Sequence, residues 1–210
     1  MQKEMDITNA SSQIVSEIKH KLQVKRPILI ALDGGSGAGK STLAVAIGQE
    51  IDSVVIPIDD FFSGHIPNWK WDTLSTQEKA RDVFDWHRLR SVVLEPLLTG
   101  KAARWHPFDF TSGLRADGTY GLSPQWVEKK PASVIILEGA YSSSPFLIGL
   151  IDLSVLLDIP VSERHRRLEV RESDKEFLQR WHRLWDSVEE YYFREVRPRS
   201  TFDVVVKSKS

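Results

Sequence analysis

The residues with the clearest chemistry lie in Gly34-Gly35-Ser36-Gly37-Ala38-Gly39-Lys40-Ser41, which satisfies G-x-x-x-x-G-K-[ST]. Backbone N–H groups that converge on phosphate oxygens need unusual dihedrals and close approach, and glycine permits both. A helix starting at Lys40 adds the positive end of its dipole. In this pattern Lys40 reaches the β- and γ-phosphates of ATP, the Ser41 hydroxyl ligates Mg²⁺, and Thr42 adds a contact to the α-phosphate. A glycine-rich turn with an accidental lysine is the alternative. The apolar run before the motif and the amphipathic helix after it favour phosphate binding.

Two carboxylates end apolar runs. Asp59 follows Val54-Val55-Ile56-Pro57-Ile58 and Glu138 follows Val134-Ile135-Ile136-Leu137. If those runs are buried parallel strands, both acids stand where ligands bind such sheets. Asp59 can orient a hydroxyl and accept its proton, and an extended chain would turn Asp60 to the other side. Glu138 has the geometry of a magnesium-holding strand-end acid. Ordinary strand-ending turns are the alternative for both, and an ordinary turn suits Asp158 at least as well. Further on, Arg164, Arg167 and Arg171 are spaced i, i+3, i+7 and share one helix face. That face can close over nucleotide phosphates and stabilise developing charge, or it can be a solvated face offset by Glu163, Glu169 and Glu172.

The elements that must position these residues read as alternating strands and helices. Ile14, Val15, Ile18 and Leu22 have helical spacing, with Ser11 or Ser12 as N-cap. Strands follow at residues 27–32, 54–58, 134–137, 153–157 and 202–206. Helices follow at residues 40–51, 76–83, 86–98, from 161, and 175–194. Ala102–Phe110 and Thr119–Leu122 flank the turn Ala116-Asp117-Gly118 and predict a β excursion. The sum is an α/β sheet, mostly parallel and covered on both faces.

At 210 residues with 41% hydrophobic content, the chain suits one domain, residues 1–210. The net charge of −1 gives no reason to expect nucleic acid or an anionic membrane as partner. The absence of cysteine excludes disulfides and thiolate metal sites. The polar start, Met1–Asp6, is followed by no apolar run of the secretory kind, so the cytoplasm is the expected compartment. Whether the chain is a monomer or a homo-oligomer stays open. Trp181 and Trp185 read as core, whereas Trp69, Trp71 and Trp105 are candidates for stacking on a substrate ring. None of the six histidines has metal-ligand spacing with another, so no zinc site is expected.

Taken in order, these motifs resemble the uridine kinase, phosphoribulokinase and nicotinamide riboside kinase group of P-loop kinases, over roughly residues 27–206. The resemblance implies a three-layer P-loop kinase fold with a β excursion on the acceptor side (about 102–123) and an arginine-bearing helical lid (about 160–175), preceded by the N-terminal helix (1–24) that the apolar spacing predicts. Asp59-Asp60-Phe61-Phe62 is similar to the acid-aromatic motif whose first aspartate is the catalytic base, here Asp59. Phe84-Asp85 resembles the segment whose aspartate holds acceptor hydroxyls, here Asp85. Phe108-Asp109-Phe110, followed by Arg115, resembles the acceptor segment. Ile136-Leu137-Glu138-Gly139 matches the motif that implies magnesium binding by Glu138. Arg164, Arg167 and Arg171 fall on the lid's arginine positions. The implied activity is ATP-dependent phosphorylation of a hydroxyl on a small molecule, nucleoside-like or vitamin-like. A nucleotide-switched regulatory ATPase is the alternative. Phe108 stands where pyrimidine nucleoside kinases carry tyrosine, and Gly113 where they carry histidine, so the resemblance implies an altered acceptor preference.

Overall fold

The computed structural model describes residues 7–207. Its strands are β1 (Ile28–Asp33), β2 (Ser53–Pro57), the short β3 (Ala103–Trp105) and β4 (Val127–Lys129), β5 (Val134–Glu138), β6 (Leu153–Asp158) and β7 (Val204–Lys207). The helices are α1 (Ile7–Lys21), α2 (Lys40–Glu50), α3 (Thr76–Asp82), α4 (Trp86–Arg88), α5 (Glu95–Leu98), α6 (Val161–Arg171) and α7 (Lys175–Tyr191). Five strands form the main sheet in the order β2-β5-β1-β6-β7, and every pairing in it is parallel.

Both faces of that sheet are covered, which is why its central strands are unbroken apolar runs. Ile28, Ile30, Leu32, Val134 and Ile136 pack against Ile14 and Ile18 of α1 and Leu43 and Ile47 of α2. Their neighbours in sequence, Leu29, Ile135 and Leu137, point the other way to Leu89, Val93, Leu97, Trp185 and Val188. Each such side chain contributes on the order of 1.5–3 kcal/mol on burial. The result is three layers, α1 and α2 on one face and α3 to α5 with α7 on the other. Among the described residues, no helix is long and apolar enough to cross a membrane.

Several expectations need correction. Ser11 does not cap the first helix. It lies within α1, buried, and donates to Glu50 Oε1 at 2.6 Å, joining α1 to α2. The strand expected through Ile58 stops at Pro57, and Ile58–Phe61 forms a 3₁₀ turn. Asp59 and Asp60 therefore diverge by helical rotation rather than by strand alternation. The β excursion exists, but β3 pairs antiparallel with β4 at 127–129, outside the expected span. Within that span only the single bridges Phe108–Leu122 and Leu114–Tyr120 form. The helix expected over 86–98 is continuous, but its middle, Leu89–Leu94, is π-helical. Trp71 and Trp105 are buried in the core, so neither can stack on a ligand, while Trp69 is exposed.

Candidate active site

The phosphate loop joins β1 to α2. Gly34, Gly37 and Gly39 have φ of 144°, 82° and 98°, which L side chains adopt only with strain. A Cβ on Gly37 would also stand 2.6 Å from the Arg164 carbonyl oxygen, so the lid helix packs directly on this glycine. Lys40 is buried, and its ammonium donates to the Gly34 and Gly35 carbonyls at 2.8 and 3.1 Å. Thr42 is exposed on the first turn of α2.

Beneath the loop lies Asp33, fully buried. It accepts from the N–H groups of Gly34, Tyr141 and Ser143 and from the Tyr192 hydroxyl, at 2.8–2.9 Å. Burial pushes its carboxyl above the usual range, and the hydrogen bonds and the Lys40 charge pull it back. Four satisfied bonds make it the anchor between the loop, the segment after β5 and the end of α7.

Ser41 and Glu138 stand side by side, the hydroxyl 3.1 Å from each carboxylate oxygen. Burial raises Glu138; Lys40 opposes that rise and Asp59 adds to it. Asp59 is raised by enclosure, with Lys40 and Arg171 pulling it down. Its side chain is exposed and lines an open cleft, so solvent screens part of that effect. Asp60 turns away and accepts from Trp105 Nε1 at 2.8 Å. Arg88 holds this turn, donating to the Asp60 carbonyl at 2.7 Å and to the His106 carbonyl at 2.9 Å.

The three lid arginines of α6 have different partners. Arg164 is buried and donates to the Ser36 carbonyl at 3.0 Å and to Glu189 Oε2 at 2.7 Å. Arg167 donates to the Ala38 carbonyl at 3.2 Å and to Glu163 at 2.8 Å. Glu163, paired with Arg166 and Arg167, is held down to about 2. Arg171 reaches the cavity. Glu189 of α7 escaped sequence reasoning. Its Oε1 accepts from both the N–H and the hydroxyl of Ser36, at 2.8 and 2.7 Å. The available signal was a charged residue beside Leu184, Trp185 and Val188 on the buried face of α7, where an acid needs a partner.

A cavity of about 340 Å³ brings together Lys40, Ser41, Asp59, Glu138 and Arg171 at one end and Phe62, Phe84, Phe110, Phe177, Trp181 and Trp185 along its walls. Asp85, Phe108, Asp109 and Arg115 do not line it. Asp85 caps α4, accepting from Arg88 N–H at 2.9 Å. Asp109 is captured by its own turn, accepting from Thr111 and Ser112 N–H groups and the Ser112 hydroxyl. Arg115 faces Thr119 across the next turn. Phe108 backs the wall, its ring against Phe62 and Phe110. At Gly113 a Cβ would stand 2.5 Å from the Asp109 carbonyl oxygen, so this loop has no room for a histidine.

An all-parallel sheet whose first strand feeds a glycine-lysine-serine loop, beneath an arginine-bearing lid helix, defines the class of P-loop kinases. The comparisons narrow this. The uridine kinase of Brevibacillus brevis is 30% identical over 181 residues, 82% of this chain and 76% of that one. That of Lactobacillus johnsonii is 30% identical over 160 residues, 70% of this chain and 69% of that one. A structure described as a possible uridine kinase from Bacillus stearothermophilus has a TM-score of 0.63 at 18% identity, covering 92% of this chain and 98% of that one, which is a likeness of fold. No family model matches the chain. The chain belongs to the uridine kinase-like family of P-loop kinases, and it is a kinase acting on an alcohol group.

Proposed function

We propose that this kinase transfers the γ-phosphoryl group of ATP to a hydroxyl on a small molecule with a flat, largely apolar body, nucleoside-like or vitamin-like in size. One observation carries this reading: a single cavity is charged at its Lys40–Asp59 end and aromatic along its walls. Aromatic walls bind ring faces, while the charged end suits phosphates and the reacting hydroxyl. The positions where pyrimidine nucleoside kinases carry a hydrogen-bonding tyrosine and histidine are Phe108 and Gly113 here.

In this reading Asp59 orients the acceptor hydroxyl and takes its proton, a task favoured by a carboxyl raised above its ordinary value. Lys40 turns from the loop carbonyls to the β- and γ-phosphates, and Arg171 meets charge developing on the transferred group. Gly34 to Thr42 cradle the phosphates, with Arg164 and Arg167 holding the lid against the loop. Ser41 and Glu138 fit Mg²⁺, since both are oxygen donors already within 3.1 Å of each other and a hard cation selects oxygen. Bound there, the ion would supply charge neutralisation between phosphates.

The test is a coupled ADP-release screen over nucleosides, vitamins and sugar derivatives. The expected result is acceptor-dependent release that Lys40→Ala abolishes. Slow release independent of every acceptor would replace this reading with the regulatory ATPase.

A further inference from the structure

The contact between α6 and α7 contains a group of side chains that phosphoryl transfer does not use. His165 of α6 faces His182 and Asp186 of α7, and their donor atoms all lie within 4.8 Å of one another. His165 Nε2 is 3.3 Å from Asp186 Oδ2, and His182 Nδ1 is 3.1 Å from Asp186 Oδ1. The two imidazole rings are 4.0 Å apart between centroids. Near neighbours though they are, His165 Nε2 is buried and makes no hydrogen bond, so this nitrogen is aimed at a carboxylate oxygen without the alignment a proton would require.

We propose that His165, His182 and Asp186 form a binding site for a divalent transition-metal ion of the zinc class. In a tetrahedral zinc site with metal–donor bonds of about 2.0–2.2 Å, donor atoms stand about 3.3–3.5 Å apart. The 3.3 Å separation of His165 Nε2 from Asp186 Oδ2 falls in this range, and the 3.1 Å separation of His182 Nδ1 from Asp186 Oδ1 is slightly shorter, so a shared ion needs only local side-chain adjustment. Two imidazoles and one carboxylate are a catalytic-type ligand set that leaves a coordination position for water. Imidazole nitrogen also separates this site from the oxygen-only pair Ser41 and Glu138, which suits magnesium. His182 and Asp186, four residues apart, share a face of α7, and the third ligand comes from the facing helix. That is why no pair of histidines shows metal-ligand spacing along the chain.

The position gives the ion a structural consequence. His165 follows Arg164 directly, and Asp186 lies one turn before Glu189, so a bound ion would clamp the two helices that also carry the Arg164–Glu189 pair. The lid would be held to α7 by the metal as well as by that ion pair.

Metal binding can be read without turnover. The full chain, untagged and stripped with chelator, is titrated with Co²⁺ in excess Mg²⁺, following visible absorption, and with Zn²⁺ by calorimetry. The expected result is one Co²⁺ per chain, with the intense bands of a four- or five-coordinate ion, displaced by Zn²⁺. His165→Gln and His182→Gln should each weaken Zn²⁺ binding by at least about ten-fold, while His87→Gln leaves it unchanged. Circular dichroism of the metal-free variants checks their folding, and Asp186→Asn, which keeps both imidazoles, provides a further ligand deletion. A Co²⁺ spectrum identical to that of the aqueous ion would overturn the proposal, leaving the three residues as an ion-pair cluster. So would affinity unchanged in the His165→Gln/His182→Gln double variant.

Discussion

Asp59 is held in a cleft that disfavours its charge, and the two cations beside it, Lys40 and Arg171, only partly offset this. The folded protein therefore keeps the proton to higher pH than the unfolded chain does. Above the ordinary value of 3.8 the unfolded state releases its proton first, so this group's contribution to stability falls as pH rises through the window up to the raised value. Because the side chain is exposed and solvent screens most of this effect, Asp59→Asn should raise the melting temperature of the nucleotide-free protein only slightly at neutral pH, with the gain fading as pH drops below that window, and should depress kcat strongly. A variant less stable than the parent at pH 7 would show that the charge is well accommodated. Glu138 is shifted in the same direction, and Glu138→Gln should move the midpoint of a magnesium titration more than ATP affinity; an unmoved midpoint would make Glu138 structural. Asp85 differs in kind. As a helix cap, its replacement by Ala should cost about 1 kcal/mol of stability and leave acceptor KM unchanged. A raised KM at unchanged stability would return it to the acceptor. Lys40, Ser41, Asp59 and Glu138, which stand out in the sequence because each ends an apolar run or completes a local motif, line one cavity in the fold. Asp109 and Arg115 lie away from that cavity, held by their own turns through contacts two to four residues away, which a motif match does not weigh.

At the scale of elements, the lid is joined to α7 by one buried ion pair, with side chains 10% and 4% exposed for Arg164 and Glu189, and to the phosphate loop by Arg164 and Arg167, which donate to the Ser36 and Ala38 carbonyls. Glu189 also accepts both polar groups of Ser36, so a single carboxylate links α7, α6 and the loop. Glu189→Gln would keep the shape but leave the guanidinium facing an uncharged amide. Breaking a buried pair in this way should destabilise the fold by about 3 kcal/mol, measured by urea unfolding, and loosen the lid. A loss within about 0.5 kcal/mol would mean that solvent or a neighbour replaces the contact. The strands and helices were legible because apolar periodicity is local. This tie was not, because its partners are 25 and 153 residues apart.

For the whole molecule, the aromatic-walled cavity is a meeting of distant segments: Phe62 and Phe84 beside the 3₁₀ turn, Phe110 from the β excursion, and Trp181 and Trp185 from α7. No one stretch of sequence carries it, and so its aromatic character emerged only from the fold. The wall has two kinds of residue. Trp185 is buried, with its ring 5.2 Å from Trp71 and 5.8 Å from Phe62. Its truncation should therefore cost about 3–5 kcal/mol of stability and blur any kinetic reading. Phe110 is 54% exposed at the cavity rim, so Phe110→Ala should leave stability within about 0.5 kcal/mol. If the acceptor's flat face rests on this rim, losing one aromatic contact of about 0.5–1.5 kcal/mol raises acceptor KM roughly two- to twelve-fold, with nucleotide Kd unchanged. Steady-state kinetics with any acceptor found in the screen, run beside a thermal melt of the same variant, separates the two effects. An unchanged KM in a folded Phe110→Ala protein would place the acceptor deeper, against the α7 tryptophans alone, and remove the β excursion from recognition.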